Sequence, residues 1–283
     1  MGSLHTVLRV SAQNFRKWSS NPRFYILGIL LLGFFVRIFR PIRTFTEAVT
    51  VPATPWALPF MMSDWYINML VFFGVVLLFC DAPFVDSGQP YLMVRTGRKV
   101  WLYGQIGYIL SASILYFIVI AIIPSILLFP NLTLQNGWGK VWGTLSQTNA
   151  GSQFDIPMSI SHALVASYTP LQAMLHTFML SVLNALMLGL IMFVCNMAAN
   201  RTAGVMAALF VVFIQAFAKY NINPVLYFFA PTSWAGLTNI SVAYNTKPSL
   251  LYAYMVLIVL IAALVAAAHF LTSKKDIEVL PPV

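Results

Sequence analysis

The sequence predicts an all-α, polytopic membrane protein. It has six transmembrane helices, an N-terminal amphipathic interface helix and a re-entrant hairpin between spans five and six. Three observations carry this. First, 60% of the residues are hydrophobic and 8% are charged, with a mean hydropathy of +0.82, whereas soluble domains carry about 25% charged residues. Second, the apolar residues come in long unbroken runs, unlike the short alternating segments of a membrane β-barrel. Third, a backbone crossing hydrocarbon must satisfy its own hydrogen bonds, which makes helices the default. Residues 1–283 form one transmembrane domain.

The first element, within 1–22, is a basic amphipathic helix. Leu4, Val7, Leu8, Phe15 and Trp18 fall on one face, and Arg9, Arg16 and Lys17 lie away from it. Such a helix lies in the cytoplasmic interface, either as a surface anchor or as a contact for a cytoplasmic partner. Asn21-Pro22 ends it, and Pro22 opens the first span. No small-residue cleavage site follows that span, so the N-terminus reads as uncleaved rather than as a signal peptide.

A helix needs about 20 residues to cross about 30 Å of hydrocarbon. Six segments qualify: Phe24–Phe39, Leu58–Cys80 with one charge at Asp64, Leu102–Phe129 with Pro124 inside, Leu171–Met197, Thr202–Ala218, and Leu250–Thr272. Six spans put both termini on one side. Ten of the 16 Lys and Arg residues fall on that side, which makes it cytoplasmic and assigns the chain to the cell membrane. The net charge of +9 is therefore a topology signal, and no nucleic-acid partner is expected. Arg37, Arg40 and Arg43 oppose the bias.

The connections differ in character. The 130–166 extracytoplasmic loop is polar and holds Trp138 and Trp142, which suit a membrane–water interface. In the 220–249 region, the apolar run Pro224–Ala230 is too short to cross and is broken by Pro231 and Gly236. It reads as a re-entrant or interfacial hairpin. Cys80 and Cys195 sit at cytoplasmic ends of apolar runs and read as free thiols with no metal-ligand spacing.

Charges inside the membrane are costly unless paired. Asp64 and Arg37 lie at matching depths, roughly 24 Å and 20 Å along their helices at about 1.5 Å per residue. The expectation is an intramembrane ion pair of Asp64 with Arg37 or Arg40; the alternative is that Arg37 snorkels outward. His176, Asn184 and Gln215 read as interhelical hydrogen-bonding residues. No acid pair, Ser-His-Asp set or HExxH motif is present, which argues against hydrolysis.

The 81–101 connection carries the functional signal. It contains Asp81, Asp86 and Gly88, then Pro90-Tyr91-Leu92-Met93-Val94-Arg95, then Gly97-Arg98-Lys99 and Trp101. Pro90 can start a short helix and Gly97 can end it. Its Tyr-Leu-Met-Val stretch is too apolar for a solvated loop and needs a partner or the bilayer.

An amphipathic helix before the first span, an acidic-Gly-short-helix-Arg/Lys-aromatic loop after the second, and a broken hairpin before the last resemble the permease subunit of type-2 ATP-binding-cassette transporters, which have the type V exporter fold. The resemblance implies that Pro90 to Arg95 form the coupling helix that docks on the ATP-binding subunit. Asp86, Arg98 and Lys99 would flank it, Trp101 would anchor the third span, and Leu4, Leu8, Phe15, Arg16, Lys17 and Trp18 would form the adjoining interface helix. The chain has no G-x-x-x-x-G-K-[ST] motif, so ATP and Mg would belong to the ATP-binding subunit, with no cofactor on this chain. The resemblance further implies a second permease subunit, identical or not, surrounded by membrane lipid. The expected function is ATP-driven export by rocking of two permease halves. The competing expectation is a secondary transporter, channel or assembly factor that works without ATP.

Overall fold

The computed structural model describes residues 2–84, 89–220, 224–241 and 247–274. Among them every regular element is helical, and the only β pairing is two isolated bridges, Ala53 with Leu132 and Ser241 with Ser249.

Helix α1 (Gly2–Arg16) runs into a 3-10 turn at Lys17–Ser19. Helix α2 (Pro22–Val49) starts where expected: the Asn21 side chain accepts from the Arg23 N–H, and Pro22 takes a first-turn position that needs no donor. It continues ten residues beyond the expected end, straight through Pro41. The cause is a stripe of buried Phe35, Ile38, Phe39, Ile42 and Phe45 at three- and four-residue spacing. Arg37, Arg40, Arg43 and Glu47 take the exposed face, and Arg43 Nε donates to Glu47 at 2.9 Å. The helix is 28 residues, or about 42 Å long at about 1.5 Å per residue.

The expected second span is two helices, α3 (Leu58–Ser63) and α4 (Trp65–Phe79). Asp64 divides them. Its backbone is extended, and its carboxylate accepts from the N–H groups of Tyr66 (3.1 Å) and Ile67 (3.2 Å). An Asp in this role satisfies orphan donors of a helix start. Buried Asn68 reaches back across the break to the Met62 carbonyl at 2.8 Å and also meets the Thr232 carbonyl at 3.3 Å.

Helix α5 (Gln89–Thr96) precedes α6 (Arg98–Leu128), which Tyr116 ties to α4 through a 2.8 Å bond to the Val71 carbonyl. A small helical cap follows: α7 (Gly139–Gln147), α8 (Ala150–Gln153) and α9 (His162–Ser167). Here Trp138 and Trp142 do not form an interfacial belt. Trp142 is fully buried, Trp138 partly, and both rings pack on Phe60 at 4.9 and 5.2 Å. Their indole N–H groups donate to the carbonyls of Tyr168 and Thr54, both at 3.0 Å.

Helix α10 (Pro170–Ala198) opens with a Thr169–Gln172 capping box and forms the centre of the bundle. It packs against α4, α6, α11 (Arg201–Tyr220) and α12 (Leu250–Lys274). Between α11 and α12 the expected helical hairpin is instead a chain of 3-10 turns, Pro224–Phe229, Pro231–Ala235 and Leu237–Asn239. The prolines and Gly236 prevent a longer helix, and the buried Trp234 holds the turns in by donating to the Tyr227 carbonyl at 2.6 Å.

Among the described residues, five helices are long and apolar enough to cross a membrane: α2, α6, α10, α11 and α12. The chain is thus a helical, multi-pass membrane protein. Helix α4, at 15 residues, falls below the usual spanning length.

Candidate functional site

One end of the bundle collects α1, α5, the start of α6, the end of α10 and the end of α12. Most of the described Lys and Arg residues lie there, and we call it the basic end. The joints are polar and local. Asn196, near the end of α10, donates to the Ala82 carbonyl at 2.6 Å and accepts from the Gly204 N–H at 3.0 Å. Arg98 donates at 3.3 Å to the carbonyls of Thr272 and Ser273, which the end of α12 leaves open. The described beginning and end of the chain therefore share this end.

Helix α1 is docked on α6 rather than lying free. Asn14 donates to Gln105 at 2.8 Å in a buried contact, and the Trp18 indole donates to Tyr108 at 2.8 Å. Phe15 meets Tyr108 edge-on at 5.0 Å, and Trp18 stacks on Phe24 at 4.6 Å. Gly104 permits the approach, because a Cβ there would lie 2.5 Å from the Val10 Cγ1. The covered face is largely the expected one, with Val7 partly covered as well, but Leu8 is left out of it. Val10, Ser11 and Asn14 are buried, Phe15, Lys17 and Trp18 are partly covered, and Leu8 and Arg16 are exposed. Leu4 lies in α1.

Lys17 donates to the Phe84 carbonyl at 3.3 Å, and Arg23 forms an ion pair with Asp81 while donating to the Cys80 sulfur at 3.2 Å. Lys17, Arg23, Asp81 and Phe84 line a cavity of about 230 Å³ between α1, α2, α4 and α6. Cys80 and Cys195 are free thiols.

Helix α5 spans the expected Pro90 to Arg95 segment. Asp86 lies outside the described residues. For Pro90, Tyr91 and Leu92 the helical backbone alone is described. Met93 packs against the core, whereas Val94 is 89% exposed, and Arg95 and Lys99 are exposed beside it. Gly97, at φ +84°, makes the corner into α6, a conformation that favours glycine. Its N–H bonds the Met93 carbonyl at 2.8 Å, and its carbonyl accepts from Trp101 at 3.1 Å. Trp101 is fully buried against Phe193 of α10. The short helix thus ends on a fixed joint between α6, α10 and α12.

Arg37 and Asp64 form no ion pair. The Asp64 carboxylate caps α4, and Arg37 faces outward on α2. Among the polar residues of the spans, His176 meets Tyr254 of α12 at 3.1 Å, an interhelical contact as expected. Asn184 instead bonds the Leu180 carbonyl of its own helix at 2.9 Å, and Gln215 Nε2 is buried without a partner among the described residues. Sequence reasoning missed the Asn14–Gln105 and Asn196 joints. Both are amides within otherwise apolar or basic stretches, which is the signal that could have found them.

No family model matches the chain, and no curated protein or solved structure is significantly similar to it.

Proposed function

We propose that this chain is the membrane permease subunit of an ATP-driven exporter of the ABC type, one of two permease halves rocked by separate ATP-binding subunits that hold ATP and Mg. The observation that carries the reading is α5. An eight-residue helix with exposed Val94, Arg95 and Lys99 stands at the basic end and ends at a corner joined to three long helices. A push on such a helix is transmitted to the bundle without deformation, because packed interiors resist compression. An apolar residue ringed by cations suits a groove with an acidic rim.

In this reading α2, α4, α6, α10, α11 and α12 are six crossings, with α3 lengthening the short α4. The 3-10 turns before α12 dip into the outer face, and the basic end is cytoplasmic in the cell membrane. The α1 helix braces α6 beside α5, so it stiffens the same joint.

The test is reconstitution with the ATP-binding subunit that co-purifies from the native membrane. Val94→Asp should lower chain-stimulated ATP hydrolysis at least about tenfold, the scale of one lost interface anchor, while leaving the melting temperature unchanged. Solute flux driven by an ion gradient through the purified chain alone would overturn the reading.

A further inference from the structure

At the end of the bundle opposite α1 lies a second cavity, of about 260 Å³, between the start of α4, the end of α11 and the 3-10 turns. Lys219 and Lys247 both face it, with Ser63, Gln215 and Tyr227. The Gln215 side chain is 2% exposed, and its Nε2 makes no hydrogen bond among the described residues. The Ser63 hydroxyl is likewise buried without a partner. A buried donor without an acceptor is destabilising, and such groups in native proteins call for an explanation.

The charges point the same way. Lys219 has neither a hydrogen bond nor an ion pair among the described residues, and Lys247 donates only to the Thr238 carbonyl at 2.8 Å, with its ammonium over the Tyr227 ring at 5.6 Å. Burial lowers the Lys247 pKa, and the nearby Lys219 ammonium lowers it further. Asp64 is the carboxylate at this cavity, and one of its oxygens already accepts two backbone N–H groups. Among the described residues, two cations and two donors without a partner thus face one partly engaged anion. The missing partner is an acceptor-rich anion. Trp65 lines the cavity and meets Tyr220 edge-on at 5.2 Å, the type of aromatic residue enriched at membrane–water boundaries.

We infer that this cavity binds a phosphate group, with Lys219 and Lys247 as its charge partners and Gln215 and Ser63 as donors. The group comes either from an anionic lipid headgroup or from a soluble phosphate. The inference is independent of the ATP-coupled reading.

The full chain in dodecyl maltoside, a detergent without phosphate, distinguishes the sources. Inorganic phosphate should raise the melting temperature if the source is soluble. Added phosphatidylglycerol should raise it if the source is a headgroup. Lys219→Gln, which removes no contact, should weaken whichever response appears at least about tenfold, the scale of a charge-assisted hydrogen bond. Lys247→Gln should do the same, and Lys140→Gln, on α7 away from the cavity, should leave it intact. Stabilisation by neither probe, or a response that survives Lys219→Gln, would overturn the inference.

Discussion

Replacing Asp64 separates a helix cap from an intramembrane ion pair. The carboxylate accepts from Tyr66 and Ile67 at the start of α4. Loss of an N-cap typically costs about 1 kcal/mol, and the negative charge at a helix start adds about 0.3–1 kcal/mol. Asp64→Ala removes both, for a total of about 1–2 kcal/mol. Asp64→Asn keeps the cap and loses the charge contribution alone, under about 1 kcal/mol. Arg37 faces outward without a partner among the described residues, so Arg37→Gln should be neutral. At about 2–4 °C per kcal/mol for a chain of this size, Asp64→Ala should lower the melting temperature in detergent by about 2–8 °C, with Asp64→Asn at the low end and Arg37→Gln unchanged. If Arg37→Gln and Asp64→Asn each lose as much as Asp64→Ala, the carboxylate is working as an ion-pair partner and the capping argument fails.

Other outcomes follow from the same contacts. Gly104→Ala should push α1 off α6 at a cost of about 1–3 kcal/mol, typical of overpacking, and hydrogen exchange should show faster amide exchange in α1. Adding Val10→Gly removes the clashing atoms and should recover the protection, though not the full stability, since the Val10 burial is gone. Trp142→Phe should cost about 1 kcal/mol, because the buried Thr54 carbonyl loses its indole donor, read as a lower melting temperature with unchanged helix content by circular dichroism. Lys247 supplies a pH signature. Its pKa is lowered from 10.5, so the native state binds this proton less tightly than the unfolded chain does. The charged form opposes folding at neutral pH, and its contribution to stability rises as pH climbs through the lowered pKa towards 10.5. Lys219, Asp64 and Tyr227 also line the cavity, so the measurement is the difference in melting temperature between the protein and Lys247→Met as pH is raised. That difference should shift in favour of the unmodified protein.

Hydropathy located the five long helices to within a few residues at most ends, since each run sums the preference of some twenty side chains. The exceptions turn on single residues or distant partners. One Asp divides an apolar run because its carboxylate is geometrically suited to cap, a property that averaged hydropathy hides. Helix α2 outlasts its hydropathy because a stripe at helical spacing continues through Pro41 while arginines take the other face. The buried face of α1 is rotated away from Leu8 because Gly104 and Gln105, about ninety residues later, create a slot for Val10 and an amide partner for Asn14. Trp138 and Trp142 looked interfacial, yet Phe60 and the Thr54 carbonyl gave them a buried seat. The position of α5 was legible from Pro90 and Gly97, whereas the cavity at Lys219 and Lys247 was not, because five separate segments converge to form it.

The most direct measurement is labelling of a single cysteine at Val94, with Cys80 and Cys195 replaced by serine, using a membrane-impermeant maleimide. The account predicts reaction in inside-out vesicles stripped of peripheral subunits, none in intact cells, and protection once the ATP-binding subunit is restored. Reaction from the outside of intact cells would contradict it.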